Sequence, residues 1–200
     1  MKNRVSSKSI LFLFSISIGI FSFLGCASEY ILLEPTKIEF HHKLQQVDCT
    51  DIKITYKYNI LRDRGNHLLA KNEKSKRISL LAVLIVNPSE DTLYFPEDIT
   101  IISNDDEIIP MTKKEAVGAL VAKYSSNEEV DFEIETKSGT WYLGTGLLND
   151  YKTIISNKSF SDEMKEYYLM NSIVLPETTV SGLLALPIQS NSPLTFHLRE

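Results

Sequence analysis

The sequence predicts a mainly β fold: an antiparallel β-sandwich carrying an inserted, helix-containing segment. Three observations carry that expectation. Ile52, Ile54, Tyr56, Tyr58 and Ile60 alternate with Asp51, Lys53, Thr55, Lys57 and Asn59, the period of two that gives a strand one wet face. Short apolar stretches punctuated by turn residues occupy both ends of the body. Between them Thr112-Lys113-Lys114-Glu115 forms a capping box, and Ala116, Val117, Leu120, Val121 and Tyr124 follow at helical spacing.

The N-terminus reads as an address and an anchor. Lys2, Arg4 and Lys8 precede an apolar run from Ile10 to Leu24, and Gly25 and Cys26 follow it. A basic region, an apolar region and a small-residue junction make a secretory signal, and the run falls short of the roughly 20 residues a spanning helix needs. Phe23-Leu24-Gly25-Cys26 resembles the lipobox of bacterial lipoproteins. That resemblance implies a diacylglyceryl group on the Cys26 thiol and cleavage before Cys26. It divides the chain into a signal peptide (1–25), a lipidated Cys with a short tether (26–35) and a β-sandwich domain (36–200) with an α/β insertion at about 111–172. Two or three acyl chains, at about 0.8 kcal/mol per buried CH₂, hold a protein on a membrane stably.

Composition suits one domain with its own core: 200 residues, 43% hydrophobic and 24% charged. The first 25 residues hold three of the 21 basic side chains and no acid, leaving 18 basic against 26 acidic and a net charge of −8. Such a body repels nucleic acid, and no nucleic-acid partner is expected. Cys49 is the only cysteine besides Cys26, so a lipidated Cys26 leaves no internal disulfide. Cys49 is expected as a small buried hydrophobe.

The remaining elements follow in order. After the turn signal Asp63-Arg64-Gly65-Asn66 comes a polar stretch in which Lys71 to Arg77 reads as a solvated cationic loop guarding a β-edge. Ile78 to Val86 is apolar on both faces, as a central strand requires, and Asn87-Pro88-Ser89 ends it. Leu93 to Phe95 and Ile99 to Ile102 form the next strand or pair, separated by Pro96, before the turn Asn104-Asp105-Asp106-Glu107. Val130, Phe132 and Ile134 alternate, and Lys137-Ser138-Gly139 leads to Thr140–Leu143, suggesting a hairpin. Ser161 to Asn171 predicts a second helix, with Met164, Tyr167 and Tyr168 on one side. Val174, Val180 to Leu186 and Leu194 to Leu198 are closing strands. The stretch from Ile78 through Asn87-Pro88-Ser89 to Phe95, and the ending Leu175 to Leu186 with its central Gly182, resemble immunoglobulin-like domains of bacterial lipoproteins of unknown function. The resemblance implies an immunoglobulin-like sandwich and says nothing about activity.

Chemistry-bearing patterns are sparse. His41-His42 are adjacent and on a strand point to opposite faces, while His67 and His197 lack ligand-spaced partners, so no metal or other cofactor is expected. Gly144-Thr145-Gly146 begins like a phosphate-binding turn but lacks the third Gly and the P-loop Lys, and is read as a hairpin exit or loop. Asp105-Asp106-Glu107 and Glu128-Glu129 are read as solvated turns. No Gly-x-Ser-x-Gly elbow occurs. Trp141 and Tyr142 are the candidate recognition residues, as aromatic side chains concentrate at binding hot spots. The reading that results is a binding or assembly module of the bacterial cell envelope, with its specific activity left open. It is held by Cys26 on a membrane, the outer one where the cell has one, facing away from the cytoplasm and open to an envelope protein partner. The alternatives are a lipid-anchored hydrolase whose active site assembles only in three dimensions, and a purely structural envelope protein.

Overall fold

The computed structural model describes residues 29–40, 44–48, 50–121, 145–189 and 191–199. Nine strands occur among them, every strand pairing antiparallel. Strands β1 (Gln45–Gln46), β2 (Lys53–Lys57), β3 (Ser79–Asn87) and β8 (Thr178–Leu186) make a four-stranded sheet in the order β1-β2-β3-β8. Strands β4 (Leu93–Phe95) and β7 (Ser172–Val174) pair with each other. Strand β5 (Ile99–Ser103) lies between β6 (Asp106–Glu107) and β9 (Thr195–Leu198).

Strand β3 is dry on both sides, and its alternation says why. Leu81, Val83 and Ile85 of β3 point one way and pack with Leu93, Phe95, Ile99, Ile101, Val174 and Phe196 of the smaller sheets. Leu80 and Ala82 point the other way, with Leu183 and Ala185 of β8, into a second cluster built by helices. Those helices are α1 (Ile60–Asp63), α2 (His67–Lys76), α3 (Lys113–Leu120) and α4 (Thr145–Tyr167). Ile60, Leu61, Leu69, Ala116, Leu120, Phe160 and Met164 supply the apolar side chains of the helical layer. Each buried Leu, Ile, Phe or Met among them contributes about 1.5–3 kcal/mol relative to exposure. The strand-rich antiparallel expectation therefore holds, and helices cover the second face of β3.

Several boundaries differ from the sequence reading. The alternating strand stops at Lys57 rather than Ile60, because Asn59 takes a left-handed conformation (φ 59°) and Ile60 opens α1 with its side chain buried in the helical layer. Residues 71–77, expected as a solvated loop, are the last turns of α2 and its cap. Leu93–Phe95 and Ile99–Ser103 do not pair with each other; each finds its partner elsewhere, on either side of a cis Phe95–Pro96 bond. Asn104 and Asp105, both at positive φ, make the two-residue turn between β5 and β6. The second helix begins at Thr145 and ends at Tyr167, so Gly146 lies in its first turn and not in a hairpin exit.

The capping box is present as expected: the Glu115 N–H donates to Thr112 Oγ1 and the Thr112 N–H to Glu115 Oε2 at 2.8 Å. Past α4, the Tyr168 hydroxyl donates to the Met111 carbonyl and accepts the Ala185 N–H, locking the chain before α3 to β8. Two positions of the quoted strand motifs have evident physical duties. Asn87 is fully buried and its amide donates to the carbonyls of Asp91, Val174 and Leu175, tying the β3–β4 turn to β7. A Cβ on Gly182 would stand 2.5 Å from both the Leu169 side chain and the Tyr167 carbonyl, so only glycine fits that approach of β8 to the end of α4.

Candidate functional site

The segment leading from the N-terminus into the domain is strapped to the helical layer. Glu163 of α4 is 5% exposed. One of its carboxylate oxygens accepts the Tyr30 hydroxyl and, at 3.0 Å, the Leu33 N–H; the other accepts the Glu34 N–H at 2.7 Å. Asn66, placed where it could cap α2, instead pairs with both backbone groups of Ile31, at 2.8 and 2.7 Å. Leu33 is fully buried, and Tyr30 packs edge-on against Phe160 at 5.8 Å. Burial first, then the hydrogen bond and charge of Glu163, push the Tyr30 phenol far up, which keeps it a donor.

A cavity of about 370 Å³ opens where α2 ends. Arg62 of α1, Lys74 of α2 and Arg77 line it with Asn59 and Asn191, and Glu73 reaches its wall. The local fold explains the placement. Helix α2 closes with Ile78 N–H on the Glu73 carbonyl and Arg77 N–H on the Lys74 carbonyl, which puts Arg77 at φ 55°, a position usually given to glycine. The Glu73 side chain, 3% exposed, accepts the Leu80 N–H at 2.8 Å. Strand β2 stops at Lys57, opposite Ala82, so at Leu80 the carboxyl supplies the partner that an extended β2 would have given. Burial raises the Glu73 carboxyl to about 7, against the lowering pull of the Leu80 N–H and the Arg62 charge.

The cationic segment thus divides its work. Lys74 and Arg77 face the cavity, while Lys76 and Asn72 donate to the Ala119 and Leu120 carbonyls and close the end of α3. His197 was expected to lack ligand-spaced partners; its Nδ1 lies 2.7 Å from Asp48 Oδ1, and Asp48 Oδ2 accepts the Leu198 N–H at 2.6 Å. That backbone bond, then the His197 ring, holds the Asp48 carboxyl below its usual range, and the pair staples the β1–β2 turn to β9. Glu107 of the acidic turn pairs with Arg199 at 2.7 Å. His67 opens α2 and is exposed. Among the described residues, no group of three or more His, Cys, Asp or Glu is arranged to hold a metal ion, and no helix is long and apolar enough to cross a membrane.

Cys26, the His41-His42 pair, Cys49, Glu128-Glu129, the expected hairpin over 130–143, and Trp141 and Tyr142 lie outside the described residues. Glu73, Asn66 and Glu163 were not singled out in the sequence. The available signal was an acid at the spacing of an apolar stripe: Glu73 stands four residues after Leu69, and Glu163 between Phe160 and Met164. No protein-family model matches the chain, nor does any curated protein or solved structure.

Proposed function

We propose that the chain is a lipid-anchored binding or assembly module of the bacterial cell envelope, held at Cys26 and folded as an immunoglobulin-like sandwich with an added helical layer. The observation that carries this reading is the strap at Glu163 and Asn66. A domain on a loose linker needs no buried carboxylate to fix the residues that enter it. Here Tyr30 to Glu34 are held by Glu163 and Asn66, and only Ala27, Ser28 and Glu29 separate them from Cys26. At about 3.5 Å per residue the helical layer then lies within about 14 Å of the acylated cysteine, so the anchor orients the domain as well as retaining it. Partner contact is assigned to Trp141 and Tyr142 and to the exposed face of the β4–β7 pair, where Tyr94 and Ile173 are cross-strand neighbours.

The test compares intact mass and membrane fractionation of the wild type and Cys26→Ala. The reading requires a wild-type protein that begins at Cys26, carries acyl mass and sediments with membranes, and a variant that loses cleavage and modification together. A wild type released without lipid would overturn it. Crosslinking on intact membranes then examines Trp141→Ala; unchanged partner capture by that variant removes Trp141 from the interface.

A further inference from the structure

We propose that the cavity at the end of α2 is a binding site for a small tetrahedral oxyanion, the phosphate or sulfate group of a small molecule, held by Arg62, Lys74 and Arg77 over Glu73. This site does not depend on the anchor. Three cationic side chains and one buried carboxyl line the cavity, in a chain whose net charge is −5, so the pocket is a positive spot on an acidic protein and focuses anions from solution. A volume of about 370 Å³ lies at the lower end of the range for small-molecule sites. Guanidinium groups present paired donors that match oxyanion geometry, and Lys74 adds a point charge. Asn59 and Asn191, joined by a 3.2 Å hydrogen bond, add neutral polar groups to the lining.

Glu73 decides between anion and cation. Ionised, it would pair with a cation and repel an oxyanion; neutral, it offers an O–H donor. The charged groups that line the cavity with it are Arg62 from α1 and Lys74 and Arg77 from its own helix end, while β3 presents the Leu80 N–H, and Gln189 and Asn191 present neutral amides. Burial already favours the neutral form near neutral pH. An arriving oxyanion favours it further, so at and above neutral pH binding takes up a fraction of a proton from solvent onto Glu73.

The test uses the full chain in uncharged detergent micelles, titrated calorimetrically with sodium sulfate, which stays dianionic across the range used. The expected result is saturable binding that tightens about tenfold from about pH 8 to about pH 5.5, with proton uptake. Arg62→Ala and Arg77→Gly should each weaken binding about tenfold or more. Arg77→Gly is the informative variant, because glycine suits the left-handed position and keeps the fold while removing the charge. Glu73→Gln, whose amide donates at every pH, should bind sulfate without the pH dependence. Absence of saturable binding, or affinity unchanged in both arginine variants, overturns the site; pH dependence retained in Glu73→Gln overturns the role of Glu73. Nanodiscs with and without phosphatidylglycerol separate the sources: competition with sulfate only when that lipid is present assigns a headgroup, and its absence assigns a soluble ligand.

Discussion

Replacing Glu73 with Gln should make the protein more stable at neutral and alkaline pH while leaving it unchanged in acid. Folding raises the Glu73 carboxyl from its ordinary 4.5 to about 7, chiefly by burial. The folded state therefore prefers the protonated form. Its contribution is fully present below about pH 4.5, falls by about 1.4 kcal/mol per pH unit as pH rises, and is gone above about pH 7. The interval from 4.5 to about 7 corresponds to about 3 kcal/mol. Gln keeps an oxygen for the Leu80 N–H and has nothing to ionise. All other titrating groups are common to both proteins, so the difference between their unfolding free energies isolates Glu73. Urea unfolding in one detergent at pH steps from 4.5 to 8 should show stabilities that coincide in acid and separate to about 3 kcal/mol above neutrality, and thermal unfolding at the same pH steps should show midpoints that separate to about 6–12 °C. Parallel curves across the range would refute the reasoning, for they would mean that the folded protein carries Glu73 ionised and solvated.

Glu163→Ala removes one acceptor for three donors, at about 1.5–3 kcal/mol for each bond to a charged group before relaxation; hydrogen exchange at Leu33 and Glu34 should lose its protection while that of β3 and β8 persists. Gly182→Ala drives a Cβ against the immovable Tyr167 carbonyl and should cost about 1–3 kcal/mol by chemical denaturation. Asn87→Ala leaves the carbonyls of Val174 and Leu175 without their amide donor and should cost about 1–3 kcal/mol, with exchange rising first in β4 and β7. Arg77→Gly relieves a left-handed side chain and should raise the thermal midpoint, a gain of about 1 kcal/mol; a loss would mean that the Arg77 side chain contributes more than its backbone strain costs.

The parts of the fold legible in the sequence are those governed by local rules. The capping box at Thr112 announces α3 because its two hydrogen bonds lie within four residues. The double-faced apolar run of β3 announces a fully buried strand, though not that helices cover one of its sides. Helix α2 escapes notice for physical reasons. Leu69 is its one fully buried apolar residue, its N-terminal Asn66 is diverted to Ile31, and its terminating position holds Arg77 in place of glycine. The alternation of 51–60 runs past the true end of β2 because Ile60, which keeps the period, belongs to α1. The cavity was not legible, since its walls come from Asn59 and Arg62, from the end of α2 and from Gln189 and Asn191, which only the β3–β8 pairing brings together. Glu163 holds residues some 130 positions away, a distance no local pattern spans.

That strap has a mechanical meaning. In a chain held at Cys26, a pull away from the membrane loads the bonds of Glu163 and Asn66 before it reaches any sheet, because Tyr30 to Glu34 come first along the chain. Peeling residues 30–40 from the helical layer pays out about 35 Å of chain while β3 and β8 keep all nine of their cross-strand pairs. On the proposed anchor the strap would be a fuse: it would set the stand-off of the domain at rest and, under load, yield reach before fold.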